Sequence, residues 1–155
     1  MKDKSIFMKK KKGISDISIK LIDFGNSIKL SKPDIKLTNK VGTPYYMAPE
    51  ILKREYDFKC DVWASGILLY ILLSGKAPFD GSTNEEIWAS IKNDEAGYSE
   101  EVWEQVSNEC HQFIRKMLTH DPKKRISSFE TLKHDWIRNH IEGNTKAKKG
   151  ANLNV

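Results

Sequence analysis

An Asp-Phe-Gly triplet, Asp23 to Gly25, follows directly after a run in which apolar and polar residues alternate. Such alternation predicts a strand, and a carboxylate at a strand end is held rigidly by its backbone. Carboxylate oxygens are ligands that Mg²⁺ prefers. We therefore expect Asp23 to be a magnesium ligand. We expect Phe24 to pack as an apolar wedge that sets the direction of the Asp23 side chain, and Gly25 to let the backbone swing.

The elements that would position Asp23 are two short strands. The alternation runs from Ile17 to Leu21 and has the period of a half-buried strand. Ile6 to Met8 is a second short apolar stretch, and the charged residues Lys9 to Gly13 separate the two. We expect a β-hairpin from Ser5 to Ile22, with the lysines exposed at its tip.

The pattern changes after the triplet. Asn26 to Thr43 has neither a helical nor a strand period, which predicts a long, mobile surface segment. From Ala48 onward the pattern is helical. Val62 to Leu73 is apolar on nearly every face, as in a helix surrounded by other elements, whereas residues 107–118 are amphipathic.

Two helix starts carry capping signals. Thr83 is followed three residues later by Glu86, which predicts a capping box. Ser127 or Ser128 is expected to cap a last helix that carries Trp136.

Composition narrows the class of protein. The chain has 155 residues, a length suited to one domain, and its net charge of +5 does not indicate nucleic-acid binding, which we do not expect. Cys60 and Cys110 show no C-x-x-C spacing, and the N-terminus lacks a signal-peptide pattern. The longest apolar run is shorter than the ~20 residues that a bilayer requires. We therefore expect a cytoplasmic or nuclear protein without a membrane span.

Four further motifs follow the Asp-Phe-Gly triplet in order: GTPYYMAPE at residues 42–50, DVWASG at 61–66, PFDG at 78–81 and DPKKR at 121–125. This set resembles the C-terminal lobe of the eukaryotic protein kinases, in particular the Ser/Thr kinases of the calcium/calmodulin-dependent or calcium-dependent group. The resemblance covers about residues 6–137. It implies a protein kinase-like α+β fold, here a mostly α-helical C-terminal lobe with an N-terminal β-hairpin over residues 1–140, followed by a polar, disordered tail over residues 141–155.

The resemblance makes Asn26 to Thr43 the activation segment. Kinases of this shape switch when a phosphate on the segment pairs with basic side chains. The usual phosphorylated position falls on Asn39, so that Thr38 is the nearest hydroxyl and Ser31 a weaker candidate. Two alternatives remain for this segment: it is switched by phosphorylation, or its polar residues are unmodified.

The residues after this segment resemble a substrate-binding turn. Thr43 and Pro44 suggest the Ser/Thr class, because in the family the matching Thr hydrogen-bonds the catalytic aspartate. The matching Pro, together with Met47, shapes the pocket for the substrate residue that follows the phosphoacceptor. Ile71 stands where relatives that prefer basic substrates often carry a Glu.

Other matched residues have structural roles in the family. Glu50 is expected to form a buried ion pair with Arg125. Asp61 is expected to hydrogen-bond the backbone of the catalytic loop, and Trp63 and Gly66 are expected to pack the central helix.

Several parts that phosphoryl transfer needs do not precede Asp23: a Gly-rich loop, a strand Lys paired to a helix Glu, and a loop of the form H-R-D-x-x-x-x-N. The His-Asp pairs at His120 and His134 lack the Arg and the Asn. We therefore expect a truncated portion of a kinase in which Asp23 is the one retained catalytic residue. ATP and Mg²⁺ are expected for the full-length parent, and we do not expect this chain alone to bind ATP.

Two functions are open at this point. The chain is part of a Ser/Thr kinase that transfers the ATP γ-phosphate to protein substrates, itself inactive, or it is a non-catalytic interaction module. No D-x-D-x-D-G loop occurs, so no calcium-binding loop is expected in this chain.

In the family, preceding helices cover part of Val62 to Leu73. Without them we expect an exposed apolar patch and poor solubility.

Overall fold

The computed structural model describes residues 6–9, 18–32, 35–99 and 101–141. These residues fall into two compact units, which divide after residue 33. Within the described ranges, no helix is both long enough and apolar enough to cross a bilayer. The expected tail beyond residue 141, the connection between the two strands, and Ile17 lie outside the described residues.

The first unit contains the expected β-hairpin. Strand β1 (Ile6–Lys9) pairs antiparallel with β2 (Ser18–Leu21), in a register that sets Ile6 opposite Leu21. The expectation of a half-buried strand is wrong, because Ile19 and Leu21 are 64% and 66% exposed. Alternation gives a strand one apolar and one polar face. A two-stranded sheet has no second layer that would cover its apolar face.

The second unit is helical, as the sequence pattern predicts. Its helices are α1 (Pro49–Leu52), α2 (Lys59–Ser74), α3 (Asn84–Asn93), α4 (Glu101–Glu104), α5 (Asn108–Met117) and α6 (Ser128–Lys133), and a further helical stretch covers residues 135–141. Helix α2 lies at the centre of the core, where Trp63 and Ile67 are fully buried. One side of it is uncovered, since Leu72 is 72% exposed.

Helices α2 and α5 approach each other closely at Gly66. A Cβ atom at this position would lie 2.9 Å from the Cβ of Met117 and 3.0 Å from Cδ2 of Leu118, which is closer than such atoms normally come. Only glycine lets the two helices meet here without displacing these side chains. Gly66 and Trp63 therefore pack the central helix as expected.

The helix starts agree with the capping signals. The Thr83 hydroxyl accepts a hydrogen bond from the Glu86 amide and the Glu86 carboxylate accepts one from the Thr83 amide, which completes the capping box of α3. Ser127 caps α6 in the same way. Trp136 does not lie on that helix, because the chain becomes extended at His134 before the stretch 135–141 begins.

Candidate functional site

Asp23 has an unusual backbone conformation. It follows β2 and begins a 3-10 turn over Phe24–Asn26 with a φ of 64° and a ψ of 70°, in the left-handed region that non-glycine residues seldom occupy. Its side chain does not cap the turn, and the residue is exposed. A Cβ atom at Gly25 would lie 3.4 Å from the Asp23 Oδ1 atom, which is an ordinary van der Waals contact. Strain of this kind is often concentrated at functional residues.

The surroundings of Asp23 suit a residue that supplies one oxygen ligand to Mg²⁺ and does not hold the ion by itself. Among the described residues, no three His, Cys, Asp or Glu side chains are grouped so that they could hold a metal ion by themselves. Mg²⁺ is commonly bound through one or two carboxylates, with water and phosphate oxygens as its other ligands. Asp23 is therefore chemically suited to contribute one oxygen to an ion that a nucleotide also binds.

Phe24 does not pack as the expected wedge, because its side chain is 63% exposed. The ring belongs to the same short unit as the hairpin, and this unit has no layer of its own that could enclose an aromatic side chain. The role assigned to Phe24 therefore needs a covering surface that the hairpin does not provide.

The segment around Thr38 is fixed at several points, so the expectation of a mobile segment is wrong for residues 36–40. Leu37 and Tyr56 exchange two backbone hydrogen bonds, of 2.8 and 3.1 Å. The Tyr56 hydroxyl donates to the Asn39 carbonyl at 2.8 Å. Thr38 itself is exposed on this anchored stretch, and Ser31 is exposed in the first unit.

Two lysines strengthen the same anchor. The Lys36 ammonium forms an ion pair with Asp57 at 2.7 Å, and the Lys40 ammonium lies 3.0 Å from the ring centre of Trp88. A cation over an indole ring is attracted by its quadrupole, by about 0.5–2 kcal/mol. The sequence pattern did not identify Tyr56, Lys40 or Trp88, since these partners are distant in sequence and carry no local period.

The expected substrate-binding turn is a compact structure. Pro44–Tyr46 form a 3-10 turn in which the Thr43 carbonyl accepts a hydrogen bond from the Tyr46 amide at 3.0 Å. Thr43 is exposed, Pro44 is half-buried, and Met47 is 5% exposed. Met47 therefore belongs to the core beneath the turn and supports it from below.

Behind this turn, the expected ion pair between Glu50 and Arg125 is present. Arg125 donates from Nη1 to Oε1 of Glu50 at 2.5 Å and from Nη2 to Oε2 at 2.8 Å. Its remaining N–H groups donate to the carbonyls of Thr119, Lys59 and His120. The side chains of Arg125 and Glu50 are 0% and 5% exposed. All five donors are satisfied, which is what a buried guanidinium requires.

Asp61 lies in the first turn of α2. Burial by its surroundings raises the pKa of the Asp61 carboxyl, and a weak hydrogen bond from the Cys60 thiol, at 3.8 Å, only partly opposes the rise. The residue still has a solvent-exposed face. Its expected partner, the backbone of a catalytic loop, is not among the described residues.

We expect Asp61→Asn to raise the midpoint of thermal unfolding at pH 7. A pKa that is higher in the folded state means that the folded state binds this proton more tightly. The burial cost of the carboxylate is then fully present at pH values above the folded pKa. It disappears as the pH falls below the unfolded value, near 4. Thermal melts of both proteins from pH 3 to 8 test this, with Glu95→Gln as an exposed control. Equal midpoints at neutral pH would contradict it.

A family model described as the protein kinase domain matches residues 1–137. The chain belongs to the protein kinase domain family. Over 129 residues it is 44% identical to calcium-dependent protein kinase 25 of Arabidopsis thaliana, and these aligned residues make up 83% of this chain and 24% of that relative. It is 41% identical over 138 residues to calcium-dependent protein kinase 3 of Plasmodium yoelii yoelii, which covers 88% and 24%. The chain spans about a quarter of the length of these relatives.

Proposed function

We propose that this chain supplies the substrate-binding part of a Ser/Thr protein kinase, which as a whole transfers the γ-phosphate of ATP to protein substrates. The main support is the turn over Pro44–Tyr46. It is exposed at Thr43, rests on the buried Met47, and is continuous with the helix that the ion pair of Glu50 and Arg125 anchors. A rigid, partly exposed turn of this kind suits the binding of an extended peptide.

In this proposal the side chains near the turn have different roles. Thr43 positions the catalytic carboxylate of the complete kinase, and Pro44 contacts the substrate residue that follows the phosphoacceptor. The Tyr45 hydroxyl donates to Asp80 at 3.3 Å and helps to fix the turn against the loop before α3. These residues bind and orient, and none of them is a nucleophile or a base.

Asp23 is proposed to hold Mg²⁺ at the nucleotide phosphates. The bound ion would neutralise charge on the transferring phosphate. In this proposal the left-handed backbone at Asp23 sets the direction in which its carboxylate leaves the chain. We also propose that the anchored residues 36–40 keep Thr38 accessible for modification, and that the protein acts in the cytoplasm or nucleus.

A second candidate is a non-catalytic module that binds the same protein partners. It is supported by the same turn, since a surface that is exposed at Thr43 and rests on the buried Met47 also suits binding without phosphate transfer. Under both candidates we propose that the 155-residue chain alone transfers no phosphate.

The test compares the 155-residue chain with a longer chain that also contains a Gly-rich loop, the strand Lys and the H-R-D loop. Each is incubated with Mg-ATP and a basic substrate protein, and phosphate incorporation is measured. We expect no incorporation by the short chain. For the longer one, Asp23→Ala should lower the rate at least ~100-fold, because even residues that only support a metal ligand cost 10–100-fold when mutated.

Asp94→Ala, which removes an exposed carboxylate at the end of α3, serves as the matched control and should leave the rate unchanged. An active longer chain that tolerates Asp23→Ala would contradict the metal-binding role. Incorporation by the 155-residue chain that Asp23→Ala abolishes would show that the chain is itself catalytic.

A further inference from the structure

A cleft of about 650 Å³ lies on the second unit, away from the residues of the substrate-binding turn. The loop over residues 121–126 and helices α5 and α6 line it. Five of the lining residues are lysines: Lys59, Lys116, Lys123, Lys124 and Lys133. This concentration of positive charge has no part in the function proposed above.

The DPKKR sequence presents two of these lysines on a rigid turn. Asp121 accepts from the Lys123 amide through Oδ1 at 2.9 Å, and its carbonyl accepts from the amides of Lys124 and Arg125 at 3.0 and 2.9 Å. Arg125 points into the core, while Lys123 and Lys124 are exposed. The buried arginine therefore fixes the loop, and the neighbouring lysines face the solvent with their backbone already ordered.

The loop is also tied to α5. The Ile126 amide donates to the Lys116 carbonyl at 3.3 Å, which holds the backbone of Lys116 close to the DPKKR turn. Three ammonium groups are thus carried on connected, ordered backbone. Because this backbone is already ordered, the conformational entropy lost when a ligand binds is mainly that of the lysine side chains.

Two of the five lysines are not engaged within the described residues, whereas the Lys116 ammonium lies 3.4 Å from Nε2 of His134. In the part of the chain that the structure describes, the side chains of Lys123 and Lys124 have no hydrogen-bond or ion-pair partner. Lys59 donates to the Arg125 carbonyl at 2.8 Å and is already engaged. The Glu130 carboxylate, which also lines the cleft, accepts from the amide and the hydroxyl of Ser127.

We propose that this cleft binds an acidic peptide segment of a partner protein, whose carboxylates pair with Lys116, Lys123 and Lys124. Charge complementarity selects the ligand, and the methylene stems of the lysines together with Ile126 provide apolar contact. Glu109, Glu130 and Asp135 also line the cleft. Their carboxylates would repel the evenly charged phosphate backbone of a nucleic acid. A peptide can place neutral or basic residues opposite them.

The test is a titration of the 155-residue chain into a fluorescently labelled ten-residue peptide rich in Asp and Glu, followed by anisotropy at about 0.15 M ionic strength, where the Debye length is about 8 Å. The double variant Lys123→Glu/Lys124→Glu should weaken binding at least about tenfold, because each attractive pair becomes repulsive. Lys29→Glu/Lys32→Glu makes the same change in net charge on exposed lysines of the first unit. Because neither of these lysines lines the cleft, this variant should weaken binding by less than about twofold.

Circular dichroism checks that both variants keep the fold. If the variant with both changes in the DPKKR loop does not keep the fold, Lys116→Gln is used, and we expect binding to weaken about threefold. Saturable binding that is lost only when the cleft is changed supports the proposal. Equal losses in the two double variants would show unspecific charge attraction and overturn it, as would the absence of saturable binding. A single-stranded oligonucleotide that binds more tightly than the peptide, and is lost in the same variant, would also overturn it.

Discussion

Replacing Arg125 with Met is expected to lower the free energy of unfolding of this chain by about 3–5 kcal/mol. The substitution leaves the Glu50 carboxylate, which is 5% exposed, without its counter-charge. It also removes the donors that serve the carbonyls of Thr119, Lys59 and His120. Small domains are stable by only about 5–15 kcal/mol, so a loss of this size removes a large share of the total. Urea unfolding followed by tryptophan fluorescence measures it.

The matched control is Arg115→Met, which removes an arginine on α5 whose guanidinium lies 4.9 Å from the Tyr98 ring centre. Its cost should stay below about 1 kcal/mol. The double variant Glu50→Gln/Arg125→Met should be less destabilised than Arg125→Met alone, because no buried charge is then left unpaired. Equal losses in the single and the double variant would show that the charge itself does not matter.

Trp63→Ala should have a comparable effect, of about 3–5 kcal/mol. Trp63 is fully buried on α2 and stacks on Phe79, with ring centres 5.5 Å apart. Its ring also meets the edge of His120 at 5.3 Å and lies 5.1 Å from the Arg125 guanidinium. Alanine would leave a cavity beside Phe79, His120 and Arg125, and the rigid surroundings would fill it only in part. The same urea titration measures the loss.

Trp63→Phe separates the ring from its N–H group. Within the described residues the Trp63 Nε1 atom is buried and has no hydrogen-bond partner, so phenylalanine removes an unpaired donor while it keeps an aromatic surface. We expect it to cost much less than Trp63→Ala. If both variants lost the same stability, stacking on Phe79 would not be the source of the effect. Because Trp63 and Arg125 are in contact, their combined loss should not be additive.

The parts of the fold that local chemistry determines could be predicted from the sequence. The capping box of Thr83 and Glu86 depends on residues three positions apart, and the hairpin depends on alternation within one strand. The pair of Glu50 and Arg125 is of another kind, since the two residues are far apart in sequence. It was expected only because the GTPYYMAPE and DPKKR motifs occur together.

The rest depends on which surfaces meet, and no local pattern contains that information. Alternation at Ile19 and Leu21 identifies an apolar face but not whether another layer covers it. The contact between the Lys40 ammonium and the Trp88 ring joins a segment that has no helical or strand period to helix α3. The pattern of that helix predicts which of its residues are buried but not which segment they contact. His134 interrupts the last helix although the residues on both sides favour helix. At Asp23 the triplet predicts a magnesium ligand, and this stays a prediction, whereas the left-handed backbone is visible only in three dimensions.

The separation of Glu50 and Arg125 also bears on the order in which the domain folds. The two residues stand 75 positions apart, and closing a loop of that length costs chain entropy before any contact compensates for it. Helices α2, α3 and α5 can form and pack through nearer contacts first. The turn that carries Thr43 depends on the distant arginine for its anchor, so we expect it to become ordered late, after most of the core has assembled.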